Sequence, residues 1–151
     1  MNQDNYSLLL KQCAALIDGE PDLIANAANI SALLFNSLEN VNWVGFYFLK
    51  GNELVLGPFG GQPACTRIPL GKGVCGTAFS KMQTLVIEDV HAFPGHIACD
   101  VASESELVVP FEAGEIAGVL DVDSPKIARF GEAEKVFFEQ LVKVICANIM
   151  S

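Results

Sequence analysis

The chain has 151 residues, 51% of them hydrophobic, which suits one domain spanning residues 1–151 around a single core. A formal net charge of −9 leaves no basic footprint, which argues against nucleic acid and anionic membranes as partners. The start MNQDNYSLLLKQ has no basic region followed by an apolar run, and no stretch of about 20 apolar residues is present, so the expected location is the cytoplasm.

Residues 2–18 read as a first helix with Leu8, Leu9 and Leu16 as its apolar contacts, stopped by Gly19. Pro21 suits the first turn of a second helix, in which Leu23, Ala27, Ile30, Leu34 and Leu38 recur at helical spacing to about residue 39. The period then changes. Residues 41–49 (VNWVGFYFL) are β-branched and aromatic and read as a strand, and a Lys50–Gly51–Asn52 turn leads into a second strand at 53–56. A third short strand covers 65–70. Gly71, Gly73 and Gly76 punctuate a turn into a helix at about 74–81, and 85–87 is a brief strand. Residues 88–103 show no period, as a functional loop would. Strands at 106–111 and 116–123 flank a turn at 112–115. A final helix runs over 132–150 with Val136, Phe137, Leu141, Val144, Ile145 and Ile149 on an apolar face. Hairpins without regular βαβ units predict an α+β fold: an antiparallel sheet of about six strands packed by N- and C-terminal helices.

Five cysteines, an odd number, argue against a structural disulfide framework. Without a CxxC pair, and with only His91 and His96 as histidines, their spacing matches no zinc pattern. Cys13 and Cys146 lie on predicted helices among apolar neighbours and read as small core residues. Cys65, Cys75 and Cys99 lie at a strand start, a glycine-rich turn and an irregular loop, where a thiol can be reached and can move. GKGVCGTAF puts Cys75 near a helix N-terminus with Lys72 close in sequence, and both features lower a thiol pKa. Cys75 and Cys99 therefore rate equally as nucleophiles on physical grounds. Three unconnected cysteines are the plainer alternative.

Asp121 and Asp123, two apart on a strand, share one face, with Glu106 on the neighbouring strand. That face is either solvated or, if buried, in need of cationic partners. Trp43 and Tyr47 also share a strand face, opposite Val44, Phe46 and Phe48. They are either ordinary core or an aromatic wall around a ligand, with Gly45 leaving space between them. His91 and His96 are candidate acid–base groups, although loop histidines are often incidental.

Taken together, NWVGFYFL, GPFGGQPACTRIPLGKGVCGTAF, VIEDVHAFPGHIACD, SESELVVP and GVLDVDSP closely resemble the free methionine-(R)-sulfoxide reductases, which are single-domain GAF proteins. The resemblance covers most of residues 41–130. It implies a GAF fold, Cys99 as the catalytic cysteine, Cys65 as the resolving cysteine and Cys75 as a thiol that assists resolution. It further implies Trp43 and Tyr47 as pocket aromatics near the substrate methyl and sulfur, and Glu106, Asp121 and Asp123 as substrate-binding carboxylates. The implied reaction reduces free methionine-(R)-sulfoxide through a sulfenic acid and an intramolecular disulfide, with thioredoxin as reductant. No metal or flavin cofactor is needed, because the cysteines carry the electrons. A homodimer is a further expectation. Two rival readings remain. A ligand-binding sensor usually sits beside an output domain, for which this chain has no room. A thiol sensor or peroxide reductase leaves Trp43, Tyr47 and the carboxylates without a purpose.

Overall fold

In the computed structural model, which describes residues 3–97, 99 and 102–150, two hairpins form the centre of one sheet. Trp43–Lys50 (β1) turns through Gly51 and Asn52 into Glu53–Gly61 (β2), and Ser105–Ala113 (β5) turns through Gly114 and Glu115 into Ile116–Ser124 (β6). Gly51 (φ 66°) and Gly114 (φ 63°) take the left-handed position that a two-residue hairpin loop requires. Arg67–Pro69 (β3) and Leu85–Ile87 (β4) form the edges. The strand order is β3-β2-β1-β6-β5-β4, every neighbouring pair being antiparallel.

Helices Gln3–Ile17 (α1), Leu23–Ser37 (α2) and Glu132–Met150 (α4) enclose one hydrophobic cluster with one face of the sheet, while Gly73–Lys81 (α3) lies against the other. No helix among the described residues is long and apolar enough to cross a membrane. The α+β architecture with six antiparallel strands agrees with expectation.

Several boundaries move, each for a physical reason. On α1 the buried stripe is Tyr6, Leu9, Cys13 and Ile17, whereas Leu8 and Leu16 are exposed. The expected set mixed two faces: Tyr6, Leu9, Cys13 and Ile17 recur at helical spacing and pack toward α4, including Tyr6 on Phe137 at 5.0 Å between ring centres, whereas Leu8 shares its face with Asn5, Lys11 and Gln12. Pro21 precedes α2 instead of lying in its first turn, because Asp22 caps the helix by accepting from the Ala25 N–H at 2.8 Å. On α4, Phe138 and Val142 join the buried face and Val136 leaves it.

Strand β2 runs five residues past its predicted end through GPFGG, which reads as loop by composition. Its glycines mark close approach. A Cβ on Gly57 would fall 2.7 Å from the Phe48 ring, and one on Gly60 would fall 2.9 Å from the Phe35 ring. Pro58 is tolerated because β3 pairs only with residues 53–55, leaving the outer edge there without a ladder to break. Within 88–103 a 3₁₀ turn forms at Val90–Ala92, capped by Asp89. Asn2, the expected start of the first helix, and Ala98, Asp100 and Val101 of the irregular segment lie outside the described residues.

Candidate active site

Directly opposed residues of an antiparallel pair point to the same face. Trp43 opposes Asp123, Gly45 opposes Asp121 and Tyr47 opposes Val119. On the next strand Glu106 opposes Asp123, and Val108 opposes Asp121. Register alone therefore gathers Trp43, Tyr47, Glu106, Asp121 and Asp123 on the α3 side of the sheet. The alternate residues Val44, Phe46, Phe48, Leu120 and Val122 enter the core beneath α1, α2 and α4.

The α3 side holds a recess of about 490 Å³ including its mouth. Cys75 lines it from α3, Cys99, His96 and Ser103 from the irregular segment, and the three carboxylates from β5 and β6. Cys65 and Cys99 are joined by a disulfide, with their Cα atoms 5.3 Å apart. Cys13, Cys75 and Cys146 are free. Cys13 is fully buried, and burial pushes its thiol up to about 12.

The two aromatics do more than line the recess. The Tyr47 hydroxyl donates to the Cys65 carbonyl at 2.9 Å, and the Trp43 indole N–H donates to the Gln62 carbonyl at 3.1 Å. Both bonds hold the 62–65 segment, and so the Cys65 sulfur, in place. The expectation that Gly45 leaves room for a ligand is corrected. A Cβ there would lie 2.3 Å from Phe59 Cβ, so the missing side chain makes room for β2, and Phe59 stacks on Trp43 at 5.2 Å. The far end of the Cys99 segment is anchored too: Asn42 Nδ2 donates to Ser103 Oγ at 3.2 Å, and the Val90 N–H donates to the Glu104 carbonyl at 2.9 Å.

The alternatives for the carboxylates are resolved in favour of burial. Glu106, Asp121 and Asp123 are 8%, 5% and 7% exposed, and no Lys or Arg is among the described residues lining the recess. Burial raises the pKa of all three. For Glu106 and Asp123, repulsion from Asp121 adds to it. Asp121 is raised less, because it accepts hydrogen bonds from Asp123, Glu106 and the Cys75 thiol. The three carboxylates are thus coupled, and each holds its proton more firmly than an isolated acid does. Oδ1 of Asp121 and Oδ1 of Asp123 are buried without a hydrogen-bond partner.

Cys75 is corrected in the opposite direction from its sequence reading. It lies in the first turn of α3, as expected, but Lys72 is exposed and Cys75 itself is buried. Burial, then Asp121, Glu106 and Asp123, push its pKa well above the ordinary thiol value. A helix terminus offers about half a positive charge, which three carboxylates outweigh. Those carboxylates come from strands some 30 or more residues away in the chain, as Glu106 at 31 positions shows.

His96 lines the recess, and burial, then His91, hold its pKa below the usual value, so the ring is neutral at pH 7. His91 points elsewhere, bonded through Nε2 to Glu104 at 2.9 Å. Sequence reasoning missed Ala64, Ile68, Val74, Ile97 and Ser103 as lining residues. They are small or aliphatic and carry no chemical signal. Adjacency to Cys65, Cys75 and Cys99 was the only clue to Ala64, Val74 and Ile97.

The sequence profile of the GAF domain matches residues 12–149. A free methionine-R-sulfoxide reductase of Escherichia coli is 51% identical over 91% of this chain and 84% of that protein. The structure of fRMsr of Staphylococcus aureus in complex with substrate is 53% identical with a TM-score of 0.91, covering 96% of this chain and 95% of that one. That of free methionine-R-sulfoxide reductase from Neisseria meningitidis in complex with its substrate is 43% identical with a TM-score of 0.92, covering 97% and 89%.

Proposed function

Because the chain belongs to the GAF-domain family, and within it to the free methionine-R-sulfoxide reductases, we propose that it reduces free L-methionine (R)-S-oxide to methionine with Cys99 as nucleophile. The observation that carries this reading is the Cys65–Cys99 disulfide at a recess of buried carboxylates lined by no Lys or Arg among the described residues.

The Cys99 thiolate attacks the sulfoxide sulfur, and a protonated member of the Glu106–Asp121–Asp123 cluster gives its hydrogen to the sulfoxide oxygen. The oxygen passes to Cys99 as a sulfenic acid and methionine leaves. The Cys65 thiol then displaces water from that sulfenic acid, forming the disulfide. Thioredoxin, an external dithiol, exchanges with the disulfide and restores both thiols. Cys75, buried and held as a thiol beside Asp121, is a poor attacker, so resolution falls first to Cys65 and Cys75 only assists.

The carboxylates also select the free amino acid. Its ammonium group supplies a cation to the cluster and meets the open oxygens of Asp121 and Asp123, which an uncharged backbone amide in a protein does not do. Trp43 and Tyr47 hold the apolar end. The enzyme works in the cytoplasm as a homodimer built from one GAF domain per chain, without metal or flavin, repairing oxidised free methionine.

A thioredoxin-coupled assay comparing free methionine-(R)-sulfoxide with its S epimer, its N-acetyl form and a sulfoxide-containing peptide tests this. We expect kcat/KM for the blocked forms to fall by on the order of 10⁴-fold, since a site built for a charged group is left unpaired without it. Comparable values for free and blocked (R)-substrates would overturn it.

A further inference from the structure

The reductase cycle leaves one thiol of the recess with little to do. Cys65 and Cys99 close on each other, whereas Cys75 stays free and 4% exposed at the start of α3. Its Sγ, a carboxylate oxygen of Glu106 and one of Asp121 all lie within 4.8 Å of one another. Asp123 lies on the same face, and its Oδ1 is buried with no hydrogen-bond partner, as is that of Asp121. An ammonium group satisfies the oxygens of such a site and leaves the sulfur unused.

We propose that Cys75, Glu106 and Asp121 form a binding site for one thiophilic divalent cation of the Zn²⁺ class. A bound ion occupies the carboxylates and shuts out the substrate. Sulfur beside carboxylate oxygens is a donor set for Zn²⁺, Cd²⁺ or Co²⁺, whereas Mg²⁺ and Ca²⁺ take oxygen shells. Bonds of ~2.3 Å to sulfur and ~2.1 Å to oxygen set tetrahedral ligands roughly 3.5 Å apart, so side-chain rotation of about 1 Å closes the present spacing. Asp123 is placed to complete the shell. Binding releases to solvent the thiol proton and any proton held on Glu106 or Asp121, and involves no change of oxidation state.

The spacing in sequence hides this site, because its ligands come from α3, β5 and β6. A second cluster of three possible ligands, Asp89, His91 and Glu104, holds no sulfur and does not compete. It is at the surface, its imidazole is bonded to Glu104, and Asp89 accepts the His91 N–H.

The disulfide uses neither Cys75 nor the carboxylates, so the oxidised protein keeps the site. The test titrates Co²⁺ into the oxidised Cys13→Ala, Cys146→Ala protein. We expect one Co²⁺ per chain with a thiolate-to-cobalt charge-transfer band, displaced by Zn²⁺ and not by excess Mg²⁺. Cys75→Ser should remove the band, and Glu106→Gln should weaken binding at least 10-fold, with the fold of each variant checked by circular dichroism. A band that survives Cys75→Ser, or one that arises only after reduction and so belongs to Cys65 and Cys99, would overturn the site. Exclusion of substrate rests on the function proposed above, and Zn²⁺ should raise KM for the sulfoxide with kcat unchanged. An intact cobalt band with an unchanged KM would overturn the exclusion and place the substrate elsewhere, while the metal site stood.

Discussion

Two buried acidic regions of this protein solve the same problem in opposite ways. Glu134, at the start of α4, is 9% exposed, but its Oε1 accepts the Gly131 N–H at 2.7 Å and Arg129 lies 3.8 Å from its Oε2. Burial works against its charge, and these donors more than offset it, holding its pKa below the ordinary value. Across the sheet, Glu106, Asp121 and Asp123 are still more deeply desolvated and meet no Lys or Arg among the described residues, so their pKa values rise. A carboxylate that serves the fold is given its donors by the fold. A carboxylate left without them is poised for a proton or for an external cation.

The largest expected effect isolates the site face. Cys99→Ser should abolish turnover, including a single turnover, because it removes the sulfur proposed to form the sulfenic acid. Stoichiometric methionine release by the folded variant would break the assignment. Cys65→Ser, by contrast, should release about one methionine per chain and then turn over poorly with thioredoxin. An unchanged steady-state rate would remove Cys65 from the resolving role.

On the helical face, Phe138 is fully buried between α4 and the sheet. Phe138→Ala should cost about 3–5 kcal/mol in urea unfolding while activity per folded molecule is kept. A loss of activity beyond the unfolded fraction would show that the two faces are coupled.

The two acidic regions should then move stability in opposite directions. At neutral pH, Glu134→Ala leaves the Gly131 N–H unanswered and takes the carboxylate away from Arg129, which keeps its bond to the Glu39 carbonyl, and should cost about 1–3 kcal/mol. The Asp121→Asn, Asp123→Asn pair should hold or raise stability while losing activity, the trade expected of a strained site. The pH dependence follows with its own sign. The unfolded carboxylates titrate near ~4, and raised folded values mean that the native state keeps protons the unfolded state has lost. Stability from the Glu106 cluster is therefore greatest at low pH and falls as pH climbs from about 4 through the raised values. Glu134, with its lowered value, contributes stability above about 4 that is lost as pH falls. Thermal melts from about pH 2 to 9 on the two variants separate the slopes. A flat profile in the wild type would mean that the cluster is not protonated when folded.

The smallest effect is at Cys146, half-buried on α4. Cys146→Ala should leave turnover unchanged and stability within about 0.5 kcal/mol. A specific loss of turnover would reveal a fourth thiol in the cycle.

How much of this was legible in advance depends on the range of the interaction that sets it. Local patterning settled the six strands and four main helices, because period, hairpin glycines and β-branched runs act within a few residues. It likewise placed Asp121 with Asp123, and Trp43 with Tyr47, on common faces, since alternation is a property of one strand. The motif resemblance named the cysteines and carboxylates that the structure brings to one recess. Local pattern could not extend β2 through GPFGG, where close approach of the Phe35 and Phe48 rings is the reason for glycine. The same limit explains Cys75. Its neighbours in the chain are Lys72 and a helix terminus, which lower a thiol pKa, whereas its neighbours in space are three buried carboxylates on β5 and β6, which raise it. Electrostatic environment is set by distance through the folded molecule, so tertiary structure decided it.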